Sequence, residues 1–186
     1  MEADWSVEIG PGLPMIAVPW EGYVPLKEDA FRITQVPEAV TDTVLAQALR
    51  HLNAPESPVF TSKCDRWHLP AAEIDPFEFD APPAEAYTGV ACYIDIILRH
   101  PNAFASFAAH ESWMRAASST LREVPLLQSR TDFVIRQAIV HAQEGFGITL
   151  YVASCARNQT LGHSIFEAAL NHAITVTIKT SPTVGE

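Results

Sequence analysis

Residues 89–98 read Gly-Val-Ala-Cys-Tyr-Ile-Asp-Ile-Ile-Leu, and their alternation decides the fold. Val90, Cys92, Ile94, Ile96 and Leu98 are uniformly apolar, whereas the positions between them include Tyr93 and Asp95. A period of two with one wholly apolar set marks a strand buried on one face. Downstream, Pro101 to Val124 carries Phe104, Phe107, Met114, Ala117 and Leu121 at helical spacing and stops at Pro125. Arg130 to His141 and Phe146 to Ala156 read as strands, with Glu144-Gly145 as the turn of a hairpin. Leu161 to Ala173 is helical, and Ile174 to Lys179 (Ile-Thr-Val-Thr-Ile-Lys) has the β-branched content of a strand, or else prolongs that helix. Residues 88–179 therefore spell β-α-β-β-α-β, the ferredoxin-like order, in an α+β protein. That order serves many functions and selects none.

Working back from this core, residues 68–87 hold four prolines and five acids with no base, a loop with one helical turn started by Asp75-Pro76-Phe77-Glu78. Val59 to Trp67 reads as an added strand and Glu38 to Leu52 as an added helix, stopped by Asn53 and Pro55. Residues 1–37 carry five prolines and form an extended arm. Trp5 and Trp20 give the arm too much aromatic surface to stay in water, so it is expected to lie on the domain. At 186 residues one domain suffices, able to bury roughly 70% of its unfolded surface.

Charge narrows the function classes. Residues 1–100 hold 16 acids and 6 bases and residues 101–186 hold 6 of each, for a net charge of −10. A nucleic-acid binder needs a basic face, which this balance disfavours. No apolar run has the length of a membrane span, and Met-Glu-Ala-Asp-Trp lacks the basic start of a signal peptide. Three isolated cysteines suit reduced thiols in a cytoplasmic protein. Cys92, between Val90 and Ile94, is expected to be buried, and Cys155 on the open face is the better candidate for a reactive thiol.

Alternation predicts a second, helix-free face bearing Tyr93, Asp95, Asp132, Arg136, Thr149, Tyr151 and Arg157. With the turn at Glu144-Gly145, Asp132 would oppose Arg157 across the hairpin. The face is either solvated or the wall of a pocket. As an enzyme site it would use Asp95 as general base, Tyr93 or Tyr151 as proton donor and Arg136 to hold an anionic group. Other chemistry lacks its signature. Cysteine and histidine spacings fit no metal site, and His110-Glu111 has Met114 where a zincin helix needs a second histidine. His110 lies within its helix's apolar stripe and is expected to be a hydrogen-bonded core residue. The acidic loop lacks the pattern of a calcium loop, and no phosphate-binding glycine motif or serine elbow occurs, so no cofactor is implied.

These readings favour a non-catalytic module that binds a small-molecule ligand or a protein partner, a second copy of the chain included. The alternatives are a cofactor-independent enzyme on the helix-free face and an acidic antagonist or adaptor that meets a basic partner protein.

Overall fold

A computed structural model describes residues 1–182. The chain builds β1 (Glu2–Glu8), β2 (Ile16–Val18), α1 (Pro37–Thr41), α2 (Thr43–Asn53), β3 (Val59–Pro70), β4 (Thr88–Leu98), α3 (Pro101–Phe104), α4 (Phe107–Arg122), β5 (Ser129–Val140), β6 (Gln143–Ala156) and α5 (Gln159–Lys179). The strands form one six-stranded mixed sheet in the order β1-β5-β6-β4-β3, with β2 also beside β5. β1 and β2 run parallel to β5, and the other pairings are antiparallel. The architecture is mixed α+β, and no described helix is long and apolar enough to cross a membrane.

Two long helical readings are each split by a capping residue. Asp42 interrupts the first and caps α2, its buried Oδ1 accepting from Val44 N at 2.8 Å and Leu45 N at 3.0 Å. Ser106 caps α4 in the same way, accepting from Ala109 N at 3.2 Å. The expected last strand does not form. Residues 174–179 complete α5, because Phe166, Ala169, Leu170, Ala173, Ile174 and Thr177 continue one buried helical stripe. Trp113 Nε1 fixes this end by donating to Thr177 O at 3.0 Å. The edge of β4 that a final strand would take is occupied by β3. Helix propensity differs among such residues by less than about 1 kcal/mol each, so packing overrides it.

The hairpin turns earlier than Glu144-Gly145. Val140 pairs with Gln143 across His141 and Ala142, both with positive φ (47° and 69°), a two-residue turn of the type that follows strand twist. Gly145 serves another purpose: a Cβ there would meet the Phe104 ring at 2.5 Å, so the glycine admits the aromatic cap from α3. Asp132 consequently opposes Tyr151 and not Arg157. The sum of paired positions changes by an even number, so every side chain keeps its expected face.

The arm becomes part of the sheet. β1 lies along β5, Trp5 packs against the main core, and the N-terminal amine donates to Val124 O at 2.5 Å. Cys92, Ile94, Ile96, Phe133, Ile135, Ile148, Leu150 and Val152 face α2, α4 and α5 in this core. His110 is also fully buried there; Nδ1 bonds Ser106 O at 2.9 Å, while Nε2 lies near the Phe146 backbone without hydrogen-bond geometry. Burial lowers its pKa.

Candidate functional site

The other face of the sheet is covered at both ends and open between them. At one end Ile16 and Val18 of the arm and Phe104 pack on Phe60, Ile97 and Ala138. At the other, Ile74, Phe79 and Ala86 of the acidic loop pack on Cys155. Asp75 caps the loop's 3₁₀ turn as its sequence suggests, accepting from Phe77 N at 3.0 Å.

Strand register aligns the band between these covers into rows. One row crosses five strands as Asp65, Tyr93, Tyr151, Asp132 and Asp4. The next runs Asp95, Thr149, Val134 and Ser6. Four residues expected on this face, Tyr93, Asp95, Arg136 and Tyr151, are thus brought together. Arg136 Nε donates to Thr149 Oγ1 at 2.9 Å, and Thr149 donates in turn to Asp95 Oδ1 at 2.7 Å. A second Arg136 nitrogen reaches Tyr151 Oη at 3.4 Å, and a third pairs with Glu8 at 2.8 Å. Asp95, Thr149 and Arg136 are all buried.

Burial raises the Asp95 pKa, and the Thr149 hydrogen bond and the Arg136 charge oppose it. Burial, followed by the charges of Asp95 and Asp65, pushes Tyr93 up to about 12. The Tyr93 ring lies 6.1 Å from Tyr151 and 6.4 Å from Trp67 between centroids. Asp132 is chelated by its own strand neighbour Arg130, at 2.6 and 3.0 Å. Arg157 lies beyond the ladder, 4.0 Å from Glu85. Cys155 is fully buried beneath the loop, and burial pushes its thiol up to about 11, which removes the reactive-thiol reading.

A concave site lies elsewhere, where the strap of residues 20–26 crosses the edge of β3. An irregularity between Thr61 and Cys64 kinks that strand. Asn53 anchors the kink to α2, donating to Thr61 Oγ1 at 2.8 Å and accepting from Thr61 N at 3.1 Å. Ser62 anchors it to the arm, donating to Ala17 O at 2.9 Å. The resulting pocket of about 300 Å³ is walled by Trp20, Val24, Leu26, Val36, Leu49 and Cys64, with Lys63 and Glu38 as its charged members. Trp20 Nε1 is buried without a hydrogen-bond partner among the described residues. Burial pushes the Cys64 thiol up to about 12, so it serves as an apolar wall.

Sequence reasoning missed Glu8, Trp67 and this pocket. Alternation in Lys63 to His68 does separate Asp65 and Trp67 from Arg66, which turns to the helix side and pairs with Asp42. Nothing local shows that an arm acid would meet Arg136. Among the described residues no three His, Cys, Asp or Glu side chains converge to hold a metal ion. Compared with known proteins, the chain matches no family model, no curated sequence and no solved structure.

Proposed function

We propose that the protein is a non-catalytic binding module that takes a small, largely apolar ligand in the pocket beneath the strap. The observation that carries this reading is the mostly apolar concavity of about 300 Å³ itself, walled by Trp20, Val24, Leu26, Val36 and Leu49 with Lys63 and Glu38 as its charged members. Small-molecule sites are commonly apolar concavities with a few fixed polar groups. The acid/base alternative on the open face has less support. Arg136 is already held by Glu8, Thr149 and Tyr151, and a phenol pushed to about 12 is a weak proton donor near neutral pH. The sheet order β5-β6-β4-β3 supports a ferredoxin-like reading in which the edge strand enters from the N-terminal side.

The test uses 1-octanol, whose chain suits the apolar walls and whose hydroxyl can meet Lys63 or Glu38. Binding is followed by the Trp20 indole resonance, with Val24→Phe as the variant that narrows the pocket. A saturable shift at Trp20 that Val24→Phe abolishes, with the melting temperature retained, supports the proposal. No saturable shift up to the solubility of octanol, or one that Val24→Phe leaves intact, refutes it.

A further inference from the structure

Among the described residues, four aromatic rings carry a cation of the protein's own. Lys27 lies 4.3 Å over Phe60, Lys63 lies 4.9 Å over Trp20, Arg115 lies 5.3 Å over Trp5 and Arg66 lies 5.7 Å over Phe166. Among the described residues no such cation covers Trp67, Tyr93 or Tyr151, although these three stand together on the open band. The acids around them are unevenly answered. Arg136 is buried and engaged with Glu8, and Arg130 is engaged with Asp132. Asp65, opposite Tyr93 and next but one to Trp67, forms no ion pair among the described residues. The band thus has aromatic faces and negative charge and lacks the cation that would complete them.

We propose that the cluster of Trp67, Tyr93 and Tyr151, with Asp65 beside it, docks an extended, arginine-bearing segment of a partner protein. Charge complementarity selects a basic occupant, and the acid excess of residues 1–100 (16 acids against 6 bases) favours its approach. Spacing selects an extended one. Successive ring centroids are 6.4 and 6.1 Å apart, close to the roughly 6.8 Å between side chains two residues apart in a strand. Arginines at alternate positions would therefore each meet a ring. Guanidinium groups stack on aromatic faces and pair with carboxylates through the same plane, which an ammonium cannot do. The rings stand side by side on the sheet face, Tyr151 opposite Tyr93 and Trp67 diagonal to it, and no element among the described residues closes them into a cage for a small quaternary amine. This site is separate from the strap pocket, and neither reading depends on the other.

The probe is the peptide acetyl-Arg-Ser-Arg-Ser-Arg-amide, titrated into the full chain at about 0.15 M salt, where diffuse attraction is screened beyond roughly 8 Å. Titration calorimetry measures binding for every variant, and the Trp67 indole resonance locates it in the chains that keep Trp67. Expected is saturable binding, weakened about three- to ten-fold by Trp67→Leu or Tyr93→Leu, and by Asp65→Asn, an exposed position whose change spares the fold. The lysine version of the peptide should bind more weakly. Equal binding by a peptide with three consecutive arginines, insensitive to Trp67→Leu and Asp65→Asn, means a diffuse polyelectrolyte contact and overturns the proposal. So does tetramethylammonium binding the same rings as tightly as the peptide, which identifies a small-amine site. Absence of any shift at Trp67 overturns it as well.

Discussion

Tyr151 and Val152 are neighbours in β6, yet their side chains enter different environments. Val152 joins Cys92, Ile94, Phe133 and Leu150 against three helices, a face with no carboxylate or guanidinium in its central strands. Tyr151 joins Arg136, Thr149 and Asp95, a buried polar chain between two small apolar covers. The first face holds the protein together by area removed from water, at roughly 1.5–3 kcal/mol for each large side chain. The second depends on complete hydrogen bonding, because each buried group there is costly without its partner. Failure therefore differs in kind. Losing atoms on the helix side leaves a cavity whose cost hardly depends on pH, whereas losing a partner on the open side leaves a charge whose cost does.

Phe133→Ala on the helix side should cost the most, about 3–5 kcal/mol in urea unfolding, with little change between pH 5 and 8. A loss below about 1 kcal/mol would mean that the helices close over the gap, and the contrast between the faces would fail. Next comes Arg136→Met, which keeps much of the stem packing and removes the charge. We expect about 2–3 kcal/mol at pH 7, since Thr149, Tyr151 and Glu8 lose a partner and buried Asp95 loses its cation.

The pH dependence sharpens this second case. Asp95 has a raised folded-state pKa, so its contribution to stability is fully present below the unfolded value of about 3.9 and is lost as pH rises through the folded value. Arg136 lowers that folded value, so Arg136→Met raises it further and widens the window upward. The variant's deficit should accordingly shrink as pH falls from 7 toward 4. A deficit constant over that range would place the loss in packing and not in charge. The smallest effect is at the hairpin that sets both faces: Ala142→Gly should stabilise by about 0.5–1 kcal/mol, because Ala142 has φ 69°. Destabilisation there would argue for a different turn and reopen the register.

Much of the candidate band is legible in the sequence. Alternation alone puts Tyr93, Asp95, Arg136 and Tyr151 on one face, and moving the turn from Glu144-Gly145 to His141-Ala142 leaves them there because the register shift is even. Asp132 and Arg157 fared differently. Their pairing needed the register itself, and a glycine beside the turn marked the close approach of Phe104 instead. Cys155 shows the same limit: alternation gave its face, and only the folded acidic loop shows it buried.

What the sequence by itself determined was local and periodic: which residues form strands or helices, where Asp75 and Asn53 end or begin them, and which side each strand buries. These follow from side-chain spacing along a short stretch of chain. Tertiary structure decided what depends on residues far apart. The segment 174–179 is helix because β3 already occupies the sheet edge and α5 continues its buried stripe. Glu8 reaches Arg136 because β1 lies parallel to β5, 128 positions on. The pocket exists because the strap, a kinked β3 and α2 meet. A parallel pairing or a pocket wall is selected by the free energy of the whole packed arrangement, and no short window of sequence carries that sum.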